Sequence, residues 1–124
     1  MPPSVRVLIA DDEELFGNAL EVILEADERI EVVGRALNGR QAVALAQELD
    51  PDVVLIDLSM PGVDGFDAIR EMVEHDGARR VVVLSGSASP DDRARAFAAG
   101  AYAYLTKERI ADDLVPHVLD AAQP

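Results

Sequence analysis

The stretch Val53–Gly62, VVLIDLSMPG, sets four consecutive apolar residues, Val53 to Ile56, directly before an acid, Asp57, and a turn-forming Met60-Pro61-Gly62. A short run rich in branched side chains and bounded by turn residues reads as a strand covered on both faces. An acid straight after such residues is costly to bury unless it has a chemical task. Comparable runs lie to either side, at Val5 to Ala10, Ile30 to Gly34, Val81 to Ser85 and Ala101 to Leu105. Between the runs the apolar residues move to helical spacing: Leu15, Leu20, Ile23 and Leu24, then Ala42, Ala44, Leu45 and Leu49, then Phe66, Ile69 and Met72, then Ala94, Phe97 and Ala98. Strand and helix alternating in this way predict an α/β domain, a parallel sheet with helices on both faces.

Punctuation supports the same division. Asn38-Gly39 precedes the second helix and Asp50-Pro51 closes it. Ser89 is a good N-cap for the fourth, followed by Pro90 at the first helical position and by Asp91 and Asp92 at the positive end of the dipole. In the last helix Pro116 interrupts the apolar pattern Leu114, Val115, Val118, Leu119. An interior proline costs about 3 kcal/mol, so a late start or a kink is expected there.

Composition narrows the function classes. At 124 residues, 49% hydrophobic and 28% charged, the chain is the size of one globular domain and is unlike a disordered segment. Twenty-four acidic residues against 11 basic ones give a charge of −13, which repels DNA and RNA. Cysteine is absent, which removes disulfides, thiolate metal sites and cysteine nucleophiles together. The apolar runs have strand length, far below a membrane span, and Met1-Pro2-Pro3-Ser4 has no signal-peptide core. A cytoplasmic protein without a membrane segment is expected.

In a doubly wound sheet the chemistry collects at the carboxyl ends of the strands. Asp11 and Asp12 close the first strand, Asp57 the third and Ser85 the fourth, while Lys107 lies just past the fifth. Taken singly, the aspartate pair would be a helix start and the lysine a solvated charge; convergence on one edge gives them a joint role. Carboxylates brought together raise one another's pKa unless a cation is present. An all-oxygen donor set favours Mg²⁺, Mn²⁺ or Ca²⁺, with Mg²⁺ usual where phosphate also binds. Metal and ammonium together could neutralise a phosphoryl group while one carboxylate attacks phosphorus. His75 and His117 lack metal-ligand spacing and read as surface residues.

Four motifs, Asp11-Asp12, VVLIDLSMPG at Val53–Gly62, VVVLS at Val81–Ser85 and Leu105-Thr106-Lys107, together resemble those of response-regulator receiver domains, over essentially the whole chain. The resemblance implies a flavodoxin-like (βα)5 fold with strand order 2-1-3-4-5. It makes residues 4–122 the receiver, 1–3 and 123–124 tails, with no output domain in this chain. It further implies that Asp57 is the phosphoacceptor and Asp12 a direct ligand of Mg²⁺, or of Mn²⁺ as the alternative. Asp11 would act mainly through water, and the Ser59 backbone carbonyl would complete the metal site. Lys107 would pair with the acceptor and then with the phosphoryl group, Ser85 and Tyr104 would form the switch, and Gly86 would leave room. Ser59 and Ser87 resemble the positions that tune the lifetime of the phosphorylated form. Expected partners are a sensor histidine kinase and a second copy of the chain in a homodimer. The segment GAYAYLTKE, Gly100–Glu108, resembles the subclass joined to a LuxR-type helix-turn-helix, so DNA would be reached only through an absent output domain.

Other readings compete. A single-domain regulator or an unphosphorylated pseudo-receiver would share the fold, although Asp11, Asp12, Asp57 and Lys107 are all present. A small phosphohydrolase would carry a second aspartate where this chain has Ser59. A flavodoxin-type cofactor binder would need a hydroxyl-rich phosphate loop where Asp11 to Glu14 stand. The expectation is therefore a phosphoacceptor signalling domain and not an enzyme, one that assists its own phosphotransfer and slow dephosphorylation.

Overall fold

The computed structural model describes residues 4–58, 65–75, 79–86 and 89–123. Five parallel strands, β1 (Val5–Ala10), β2 (Ile30–Ala36), β3 (Val53–Asp57), β4 (Arg80–Ser85) and β5 (Ala103–Thr106), pair in the order β2-β1-β3-β4-β5. The helices are α1 (Glu14–Glu25), α2 (Gly39–Leu49), α3 (Gly65–His75), α4 (Pro90–Ala99) and α5 (Ile110–Ala121), with a 3-10 turn at Lys107–Arg109 before the last. This is the flavodoxin-like arrangement expected.

Strand alternation divides the core. Val7, Ile9, Val53, Leu55, Val82, Leu84 and Leu105 pack with Leu20 and Leu24 of α1 and with Leu114 and Val118 of α5. Leu8, Val54, Ile56, Val81, Val83 and Tyr104 pack on the other face with Ala46 of α2, Ile69 and Met72 of α3, and Ala96 and Ala99 of α4. Hence the near-continuous apolar reading of β3 and β4, whose residues 53–57 and 81–85 are all buried.

Helix ends follow their capping chemistry. The Asn38 side chain accepts from the Gln41 N–H at 2.8 Å, and Ser89 Oγ accepts from the Asp92 N–H at 3.4 Å. Helix α4 closes on Gly100 at φ 114, where a side chain would be strained. That closure shifts β5. The Ala101 N–H donates to Ala96 O at 3.0 Å, so the strand begins at Ala103 and not at Ala101, and it runs on to Thr106. At the other edge β2 extends two residues beyond Gly34, to Ala36.

Some helical faces differ from expectation. Leu15 is 85% exposed and Phe97 40% exposed; Ala44, Ala94 and Ala98 are also exposed, and α4 turns Ala96 and Ala99 inward instead. The late start expected of the last helix does not occur: Pro116 stands inside α5, which begins at Ile110. Its missing N–H leaves the Asp112 carbonyl without that donor, at an exposed residue where water can substitute. His75 is exposed as expected, whereas His117 is half-buried with Nδ1 2.8 Å from the Asp113 carbonyl. Among the described residues no helix is long and apolar enough to cross a membrane.

Candidate functional site

The carboxyl edge of the sheet brings the anticipated side chains together. Asp11 follows β1, its N–H donating to Ala36 O at 2.9 Å, which fixes the turn into α1. Asp57 is the last residue of β3 and is 0% exposed; Asp11 is 1% exposed, while Asp12 beside it is open to solvent. Asp11, Asp12 and Asp57 each offer a carboxylate oxygen, and these oxygens lie within 4.8 Å of one another. Among the described residues this is the one group of acids or histidines close enough to share an ion.

Lys107 enters from the turn after β5, with Nζ donating to Asp57 Oδ2 at 2.7 Å. Burial alone would lower its pKa, but the hydrogen bond and charge of Asp57 outweigh burial and raise it, so the ammonium stays charged. Asp11 is pushed the other way. Burial raises its pKa; the Glu13 N–H, bonded to Asp11 Oδ1 at 2.8 Å, opposes this, and the charge of Asp57 adds to the rise. Its second oxygen, Oδ2, is buried with no hydrogen-bond partner. A buried carboxylate oxygen without a donor, facing two more carboxylates, fits a hard divalent cation held by oxygen ligands. Asp11, Asp12 and Asp57 could hold one. The fourth expected ligand, the Ser59 carbonyl, lies outside the described residues, as does Ser87.

Ser85 ends β4 and Tyr104 lies in β5; each is 6% exposed. Val83 pairs with Tyr104 and Ser85 with Thr106 in the ladder, and alternation sets Ser85 on the α4 side together with Tyr104. A Cβ built on Gly86 would meet no atom within 4 Å, so the space next to Ser85 is open.

Two neighbours of the site were not assigned to it from the sequence: Glu13, which reads there as part of a solvated helix start, and Phe16. Glu13 Oε1 lies 3.8 Å from Lys107 Nζ, and that same Nζ sits 4.7 Å over the centre of the Phe16 ring. Adjacency to Asp11-Asp12 does flag Glu13, and its exposed side chain agrees with the solvated reading while still lying near Lys107; an apolar residue such as Phe16 carries no comparable signal.

The family model described as response regulator receiver domain matches residues 7–119. Over 119 residues, 96% of this chain, it is 36% identical to the transcriptional regulatory protein LiaR of Bacillus subtilis. Over 116 residues, 94% of the chain, it is 35% identical to the nitrate/nitrite response regulator protein NarL of Escherichia coli. The chain covers 56% and 54% of these proteins, about half the length of the curated relatives it matches. The solved signal receiver domain of NarL from Mycobacterium tuberculosis superposes with a TM-score of 0.93 at 33% identity, covering 98% of both chains. With a family match along nearly its whole length and relatives above 30% identity, the chain belongs to the receiver domains of two-component response regulators, in the group of NarL/LuxR-type regulators.

Proposed function

We propose that Asp57 accepts a phosphoryl group from the phosphohistidine of a sensor histidine kinase, in a reaction requiring Mg²⁺, or Mn²⁺ in its place, held by Asp11, Asp12 and Asp57. One observation carries this reading: Asp57 Oδ2 lies 2.7 Å from Lys107 Nζ, inside a trio of carboxylates whose oxygens fall within 4.8 Å of one another. An Asp57 oxygen attacks phosphorus, the P–N bond to the kinase imidazole breaks, and its electron pair leaves with the imidazole. When bound, the cation supplies charge neutralisation for the phosphoryl oxygens. Lys107 cancels part of the carboxylate charge, lets a second anion approach, and then follows the phosphoryl group.

Phosphorylation exchanges the single negative charge of the Asp57 carboxylate for a phosphoryl group carrying about −1.5 to −2 charges and three strong acceptors. The Ser85 hydroxyl ends β4 on the α4 side, and Tyr104 shares that side. Movement of Ser85 toward the phosphoryl group would therefore shift Tyr104 and the surface of α4 and β5, which a second copy or an output domain reads. Residues 4–122 form the receiver unit. Likeness to transcriptional regulators about twice as long supports a helix-turn-helix output in a longer protein, and the charge of −13 leaves DNA contact to that output. The role is signalling, with only slow loss of the phosphoryl group.

Intact mass after treatment with acetyl phosphate and Mg²⁺ tests this. One added phosphoryl group is expected, absent with EDTA and absent in Asp57→Ala. Labelling of Asp57→Ala equal to that of the parent would remove Asp57 as acceptor.

A further inference from the structure

The 11 basic residues of the chain are ten arginines and a single lysine, Lys107. Every other cationic position is filled by a planar guanidinium, and the compact ammonium on a flexible four-carbon stem occurs only here. Such a stem loses considerable rotamer freedom when its tip is held at one place. The ladder pairing of Ser85 with Thr106 fixes the backbone just before it, but not the tip. Asp57 holds one N–H of the ammonium at 2.7 Å. Glu13, at 3.8 Å, is beyond hydrogen-bond distance and is 64% exposed, so its attraction is screened.

Among the described residues a further contact is the ring of Phe16, whose centre lies 4.7 Å from Nζ. Phe16 stands in the first turn of α1, half-buried against the core shared by α1 and α5. Its own place is secured by Arg35 of β2, which donates to Asn18 Oδ1 at 2.8 Å and to the Glu14 carbonyl at 3.3 Å. Gly17 allows that crossing: a Cβ there would overlap the Arg35 guanidinium. The face of an aromatic ring attracts a cation through its quadrupole, yet offers no oxygen to capture a hydrogen. It can hold the ammonium in place while leaving its donors for Asp57 and for an arriving anion.

We infer that Phe16 is a positioning residue for Lys107, an aromatic platform on which the ammonium rests and pivots between the Asp57 carboxylate and the incoming phosphoryl group. The pivot rests on the phosphoacceptor reading above; the platform does not. A carboxylate at the same place would trap the ammonium, and an aliphatic side chain would fill the volume without attracting it.

Because Lys107 is the only lysine, ¹³C-lysine labelling reports on this one side chain. The test compares the parent protein with Phe16→Leu and Phe16→Tyr, first free of metal and phosphate. In the parent and in Phe16→Tyr the ε-methylene protons are expected upfield, shifted by the ring current; in Phe16→Leu they return to the position of a free lysine. Phosphoryl incorporation from acetyl phosphate with Mg²⁺ is then expected to slow about three- to tenfold in Phe16→Leu and to stay within about twofold of the parent in Phe16→Tyr. An ε-methylene shift unchanged by Phe16→Leu, or incorporation by Phe16→Leu at the parent rate, overturns the assignment. If the parent itself takes up no phosphoryl group while its ε-methylene shift depends on Phe16, the phosphoacceptor reading falls and the platform stands.

Discussion

At the amino ends of the strands, two arginines close on the last turn of α2. Arg79, 4% exposed, donates to Ala46 O at 3.0 Å and to Asp50 Oδ1 at 3.1 Å, and Arg6 donates to the carbonyls of Leu49 and Asp50 at 2.7 and 2.9 Å. At the carboxyl ends, Asp11 and Asp57 are buried at least as deeply, but with Asp12 they share one ammonium, and one of their oxygens has no donor at all. The arginines meet the negative end of a helix, so their charge meets its opposite within the chain, even though, among the described residues, Arg79 Nε and Nη1 are buried outside any hydrogen bond. Among the described residues, three carboxylates around one ammonium leave negative charge in excess, which a cation would offset on the function proposed above. Neither burial of a charge nor a buried atom without a hydrogen bond therefore separates scaffold from site in this molecule; the local excess of like charge does.

The comparison can be broken by truncating each end. Arg79→Ala removes a buried charge-assisted donor and leaves the Ala46 carbonyl in its place without it, which should cost about 2–3 kcal/mol of stability in urea unfolding. Asp11→Asn, measured in EDTA, should cost nothing or add stability, because it removes a desolvated charge that repels Asp57. A loss for Asp11→Asn as large as for Arg79→Ala would mean that the two ends are built alike.

Magnesium sharpens the same contrast. A cation that binds only the folded protein stabilises it by about 1.4 kcal/mol at ten times its dissociation constant. Mg²⁺ should thus raise the melting midpoint of the parent and of Arg79→Ala in parallel, and should lose most of its effect on Asp11→Asn and Asp12→Asn. A Mg²⁺ response that survives in both aspartate variants would place the cation elsewhere.

The same contrast explains what could be read from the sequence. Strand ends were legible because buried branched runs must stop where a polar group begins: β1 and β3 fall at the residues anticipated, and Asp11, Asp57, Ser85 and Lys107 follow from the parallel topology. The helical faces were less legible where side chains are small. Helix α4 packs through Ala96 and Ala99, and alanine appears on its outer face as well, at Ala94 and Ala98, so hydropathy alone does not orient it. Leu15 and Phe97 look like core residues by type and are exposed, because one-dimensional spacing does not say which positions meet a neighbour. The contact of Phe16 with Lys107 joins α1 to the turn after β5 and exists only once both flank the sheet.

The smallest effect, and the one with the clearest sign, is the response of two aspartates to pH. Asp27, in the turn between α1 and β2, accepts from Arg29 Nε at 3.0 Å, Nη2 at 2.7 Å and its backbone N–H at 2.9 Å; these bonds to Arg29 lower its pKa from 3.8 to about 2. Its ionised form is favoured by folding, so its contribution is present above pH 3.8 and is lost as pH falls toward 2. Asp11 is shifted upward from the same 3.8, chiefly by burial. Folding favours its protonated form, so in EDTA its penalty is absent below pH 3.8 and grows as pH rises through the raised value. Acidifying the metal-free protein from neutral should therefore first relieve Asp11, and only below about pH 3.8 begin to weaken Asp27. Melting midpoints measured from neutral to acid pH should show the gap between Asp11→Asn and the parent closing as pH falls toward 3.8, and the gap between Arg29→Ala and the parent closing only below it. If Asp11→Asn instead keeps the parent's slope above pH 3.8, burial is not holding a charge out of balance at the carboxyl end, and the distinction between the two ends disappears.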